Sequence, residues 1–189
     1  QLKKILESSD IPVTSENISR IVSALQMSSS ALNMSDDTKA YIVGNGLTPT
    51  IENIYHGQYS GSDAVDGSIY DTEVWEQISS QVERLIDATG LDKESTIADA
   101  KWLFANDLPV TADALRTMSV LNDISSDMSV KTSFEQILQS VAAGASPEQA
   151  SLDISEFVIA RSIINNFAVI TDADISTAVK AAAGDIAFT

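Results

Sequence analysis

The chain has 189 residues, 44% of them hydrophobic, enough for one cored domain or for two or three small helical units on a continuous core, which leaves little room for extended disorder. Eleven Lys and Arg against 27 Asp and Glu give a formal charge of -16, which repels nucleic-acid phosphates and anionic lipid surfaces and argues against a nucleic-acid partner. No cysteine is present, so there is no disulfide framework, thiolate nucleophile or cysteine-ligated metal site, and the apolar stretches are too short and interrupted for a transmembrane segment.

The opening ESSDIPVTSENISRIVSAL predicts a helix beyond Pro12, capped by Thr14, with Ile18, Ile21, Val22 and Leu25 on one apolar stripe. A second short helix is expected over 36–43, with Ser35 as its cap and Tyr41 or Ile42 directed inward. In NGLTPTIENIYHGQYSG, Asn45-Gly46 stops that helix, Pro49 restricts the chain and Thr50 caps the next one. The polar, glycine-rich stretch between Gly57 and Gly67 reads as a boundary or surface loop.

A longer helix over 72–88 carries Trp75, Ile78, Val82, Leu85 and Ile86 on its apolar face and Glu76, Gln81, Glu83 and Arg84 on its solvent side. Another over 96–105 brings Trp102, Leu103 and Phe104 to NDLPVTADAL, where Thr111 caps a helix buried through Leu115, Met118, Leu121 and Ile124. Phe134, Ile137, Leu138 and Val141 follow, then a break at 144–147 in which Ser146 and Pro147 open a further helix with Ile154, Phe157, Val158, Ile163 and Ile164. Thr171 is the last expected cap, with Ile175 the next core position. The absent initiator Met and the abrupt ending AAAGDIAFT suggest a piece of a longer protein.

Aligning Thr14, Thr50, Thr111 and Thr171 makes a repetition visible. Four residues later stand Ile18, Ile54, Leu115 and Ile175, and eight residues earlier stand Leu6, Ile42, Leu103 and Ile163, so each turn has an apolar anchor on both sides. Glu16, Glu52 and Asp113, and in the last copy Asp172 and Asp174, place negative charge where the helix dipole favours it. The spacings are 36, 61 and 60 residues, and Trp75-Glu76-Gln77-Ile78 aligns with Phe134-Glu135-Gln136-Ile137. The expected fold is therefore all-α, with packed helical hairpin repeats in a compact bundle or a short irregular solenoid. Its units are an N-terminal helical unit (1–61), an acidic glycine-containing linker or loop (62–71), and a central (72–128) and a C-terminal (129–189) helical repeat.

The stretch 45–61, taken with NDLPVTADAL and the helical repeats after it, resembles poorly characterised repeat-containing proteins of clostridia and related Gram-positive bacteria. Some of those relatives occur in flagellar gene contexts, and no catalytic pattern comes with the resemblance. The flagellar association is what the resemblance implies, and the location stays open between the cytoplasm and a bacterial surface or flagellar assembly.

Tyr55, His56, Gln58 and Tyr59 form the most chemically distinctive cluster, readable as a polar recognition surface or as an ordinary capped helix end. His56, the one histidine, makes neither a zinc site nor a triad alone, and Ser60 and Ser62 lie in no nucleophile motif. Asp63, Asp66, Asp71 and Glu73 flank a flexible stretch. Asp66 and Glu73 give a partial match to a calcium loop, but Ser62 and Ala64 stand where its first two ligands belong. The paired acids Asp36-Asp37 and Asp172-Asp174 need a pocket that separates their protonation before they can work as acid and base. Trp75, Trp102 and Phe134 read as core anchors, and no phosphate loop or HExxH pattern calls for a cofactor. The expected function is a noncatalytic structural or protein-interaction module with a protein partner. The alternatives are a peptide- or carbohydrate-binding accessory domain using 55–59 and, against the missing nucleophile and metal motifs, an unusual hydrolase.

Overall fold

A computed structural model of the chain describes Leu6 and residues 11–153. Regular structure among these residues is helical, the one extended contact being an isolated antiparallel bridge between Thr50 and Ser151. In chain order the helices are α1 (Ser15–Met27), α2 (Ser29–Leu32), α3 (Asp36–Gly44), α4 (Ile51–Gln58), α5 (Thr72–Thr89), α6 (Lys93–Ala105), α7 (Ala112–Asp127) and α8 (Val130–Ala142). A single 3-10 turn, Pro147–Gln149, follows them.

The starts of α1, α4 and α7 share one local chemistry. Thr14, Thr50 and Thr111 hold extended backbone, and each Oγ1 accepts from the amide three residues on, Asn17, Asn53 and Ala114, at 3.1, 3.2 and 3.1 Å. A free donor at the first turn of each helix is thereby satisfied. Upstream, the amides of Ile11, Leu47 and Leu108 reach back five residues to the carbonyls of Leu6, Ile42 and Leu103 at 3.0, 2.9 and 2.9 Å. At Leu47 and Leu108 that bond closes the preceding helix as a Schellman-type exit, with the amides of Gly46 and Asp107 bonded to the carbonyls of Val43 and Phe104. The side chains of Leu6, Ile42 and Leu103 are wholly buried, so each turn is stitched by main-chain bonds and anchored by an apolar side chain.

α4 and α7 each pack against four other elements: α7 touches α2, α3, α5 and α6, while α4 lies against α1, α2, α3 and the 3-10 turn. α8 packs on α1 and the 3-10 turn, so the last described helix returns to the first one. One hydrophobic cluster runs from Leu6 through Ile54, Leu103, Leu121 and Ile137 to Leu152. Burying each such aliphatic side chain contributes roughly 1.5–3 kcal/mol.

Several sequence expectations shift at this level. The short helix α2 was not foreseen. α6 starts about one turn before 96, because Asp92 is the stronger cap: its Oδ1 accepts from the Ser95 amide at 3.0 Å, and Thr96 instead lies buried with its hydroxyl on the Asp92 carbonyl at 2.6 Å. Pro147 opens only the 3-10 turn, and Ser146 makes no side-chain cap there, its Oγ being taken by Arg20 Nη2 at 2.8 Å. Of the aromatic anchors, Trp75 and Phe134 are buried and Trp102 is half-buried. The expectations at Ile154, Phe157, Val158, Ile163, Ile164, Thr171, Asp172, Asp174 and Ile175 lie outside the described residues.

Candidate functional site

α4 is held at its start and along one face, and this decides what its other face offers. Asn53 Nδ2 donates to the Thr48 carbonyl at 2.9 Å, and the helix buries Ile51 and Ile54. Beyond the start, the Ile51 amide donates to the Ala150 carbonyl (3.1 Å) and the Leu152 amide to the Pro49 carbonyl (2.9 Å), so an extended piece of chain lies across the turn. With Ile51 and Ile54 inside, Tyr55 and Tyr59 stand one turn apart on the same face. Their rings meet edge to face at 5.3 Å between centroids, and the His56 ring sits 6.0 Å from Tyr55. Tyr59 is 70% exposed. His56 Nε2 lies 3.9 Å from Glu52 Oε1, a contact between two exposed side chains. Gln58 is turned away from this group: its Oε1 accepts from Ser30 Oγ of α2 at 2.6 Å.

The acidic stretch after α4 is pinned down rather than free. The Ala64 amide donates to Asp37 Oδ1 at 2.7 Å, and Asn106 grips Val65 twice, accepting from its amide at 2.7 Å and donating to its carbonyl at 3.2 Å. At Gly67 the backbone runs against Trp102; a Cβ there would sit 2.7 Å from the indole Cδ1 and 3.1 Å from the Trp102 Cα, so the close approach needs glycine. Asp66 Oδ1 accepts from the Ser68 amide at 2.9 Å, and these bonds to Ser68 hold its carboxyl below the usual range. Glu73 stands exposed in the first turn of α5, where Asp71 and not Glu73 is the cap. No group of three or more His, Cys, Asp or Glu able to hold a metal ion occurs among the described residues, so Asp66 and Glu73 are not brought together into such a set.

Two clusters escape a linear reading. Tyr70, Trp75 and Phe104 form a ring cluster with centroids 5.7–6.4 Å apart, and the Lys101 ammonium lies 5.7 Å from the Tyr70 ring and 5.8 Å from that of Trp75. The neighbouring letters of Lys101-Trp102 gave one hint of a cation among aromatics, but the partners come from the loop and from α5. Lys39 on α3 donates to Asn122 Oδ1 of α7 at 3.0 Å, and Asn122 Nδ2 donates to Asp99 Oδ1 of α6 at 2.9 Å. Burial raises the Asp99 carboxyl above its ordinary value, against the opposing pull of Asn122 and Lys39. No spacing in the sequence announces this three-helix bridge.

Among the described residues no helix is long and apolar enough to cross a membrane. Residues 1–159 match the model of a family of unknown function (DUF6240). No curated protein and no solved structure matches the chain.

Proposed function

We propose, from the premise that the chain belongs to the DUF6240 family, that it is a noncatalytic structural or protein-interaction module. Its architecture on this reading is one of packed helical hairpin repeats gathered into a compact bundle or short irregular solenoid. The shared bonding of the turns at Thr14, Thr50 and Thr111 supports the repeats. The resemblance of the 45–61 stretch supports an assembly at the bacterial surface or flagellum as the setting.

The observation that carries the interaction reading is the pair Tyr55 and Tyr59. Tyr59 is 70% exposed yet held edge-on against Tyr55, on a helix fixed at its start by Thr50 and by the strand-like stretch at Ser151. An exposed aromatic that is already ordered gives up little conformational freedom on binding, which is why Tyr dominates binding hot spots. His56, beside Tyr55, adds a polar edge to the same face. Affinity capture from the source organism with the intact parent protein tests this. Flagellar or envelope components are expected with the native sequence and lost with Tyr55→Ala/Tyr59→Ala at unchanged thermal midpoint. Equal recovery by the double variant, or turnover of a defined substrate without any partner, rejects the reading.

A further inference from the structure

A second feature lies away from the α4 face. Between the pinned stretch after α4 and helix α6 runs an open groove of about 740 Å³, within the roughly 300–1,000 Å³ usual for small-molecule sites. Its walls are set by the bonds already described. Asn106 and Asp37 fix the loop side, and Gly67 lies against Trp102.

The chemistry of the lining is mixed in sign. Asp36 and Asp66 present carboxylates, Ser68 a hydroxyl, and Lys101 an ammonium, while Trp102 and Tyr70 supply flat apolar surface. Lys101 is unusual in a chain of charge -16. Among the described residues, Lys101 and Arg84 are the basic side chains with no carboxylate within 4.0 Å, and Arg84 is occupied with the Ser80 carbonyl. Aromatic faces attract the Lys101 charge without using its N–H donors as a carboxylate would. Those donors are available to a ligand.

The sign of the groove narrows the ligand. An anion meets Asp36 and Asp66, and a cation meets Lys101. A neutral ligand with many hydroxyls suits both: it donates to the carboxylates, accepts from the ammonium and lays an apolar C–H face on an aromatic ring. We infer that this groove binds a neutral saccharide, with Asp36, Asp66, Ser68 and Lys101 bonding its hydroxyls and Trp102 or Tyr70 receiving a ring face. The inference is independent of the Tyr55 and Tyr59 face, so either can fail alone.

The chain has two tryptophans, Trp75 buried and Trp102 in the groove, so its two indole N–H resonances in a proton–nitrogen spectrum report the site directly. Trp102→Phe assigns them. The probes are cellotetraose, maltotetraose and the tetramer of N-acetylglucosamine, titrated into the full chain to about 10 mM. At least one is expected to shift the Trp102 signal saturably, and Lys101→Met and Asp66→Asn are each expected to weaken it roughly tenfold at unchanged thermal midpoint, as loss of a charged hydrogen bond does. No saturable shift with any of the three overturns the inference. So does a shift that survives in both variants, or a preference for an acidic or basic peptide over every sugar.

Discussion

The turn that ends α3 and the turn that ends α6 have nearly the same backbone and different occupants. Asn45 and Asn106 each close their helix, donating from the amide at 3.2 Å, and from Nδ2 at 2.8 and 2.9 Å, to the carbonyls of Tyr41 and Trp102. The next residue takes the left-handed region in both, Gly46 at φ 60 and Asp107 at φ 53. Leu47 and Leu108 then make the five-residue bond back at 2.9 Å. Where they differ is outside the turn: the first is crossed by the extended stretch at Ala150 to Leu152, while the second leads past Asn106 to the pinned loop and its groove. One local solution serves two neighbourhoods, because the turn satisfies its own polar groups and leaves the surroundings to choose the contacts.

The equivalence of the two turns can be broken most severely at their anchors. Ile42→Asp and Leu103→Asp each bury a charge at a fully enclosed site, and each is expected to cost more than about 4 kcal/mol, seen as loss of cooperative thermal unfolding. If either variant melts like the native chain, the paired-anchor account of that turn is wrong. A smaller test sharpens the comparison by its sign. Gly46→Ala has open space for its Cβ and so pays only backbone strain, about 1 kcal/mol of stability. Asp107→Gly relieves that strain against the greater freedom glycine gains when unfolded, a net gain of about 0.5 kcal/mol. Denaturant midpoints moving in the same direction for both would contradict the shared conformation.

The smallest expected effect lies in the bridge that joins the two regions, Lys39 on α3 to Asp99 on α6 through Asn122. Asp99 has a folded pKa above its unfolded one, so its protonated form favours the fold below the ordinary carboxylate range, and this advantage is lost as pH rises through the folded value. Asp99→Asn keeps an oxygen for Asn122 and removes the half-buried charge. Its thermal midpoint is expected to exceed the native one slightly at neutral pH, with the gap closing in acid. A gap that widens in acid would show that ion pairing with Lys39, and not burial, dominates this site.

Much of the local structure was legible in the letters. Thr14, Thr50 and Thr111 cap their helices through interactions within a few residues, and the buried positions of α5 and α7 follow the helical period. The start of α6 was less legible: the expected helix begins at 96, whereas Asp92 caps it one turn earlier by accepting from the Ser95 amide. Of the four residues named at the end of α4, Tyr55, His56 and Tyr59 share a surface, but Gln58 turns to Ser30, whose position depends on the unforeseen α2.

The aligned segments at Trp75 and Phe134 mark the division between sequence and tertiary structure. Periodicity determined that both aromatics would face inward, because a helix must bury its apolar stripe, and both do. Two residues on, Gln77 is exposed while Gln136 is buried, with its Nε2 lacking a hydrogen-bond partner. The same letter meets opposite surroundings because α8 is covered by α1 and the 3-10 turn, whereas α5 packs on α6 and α7 alone among its main contacts. Caps, turns and stripes were set by interactions spanning a few residues. Which face was covered, where Lys101 found its rings and where a groove opened were set by elements far apart in the chain, whose meeting only the packed core decides.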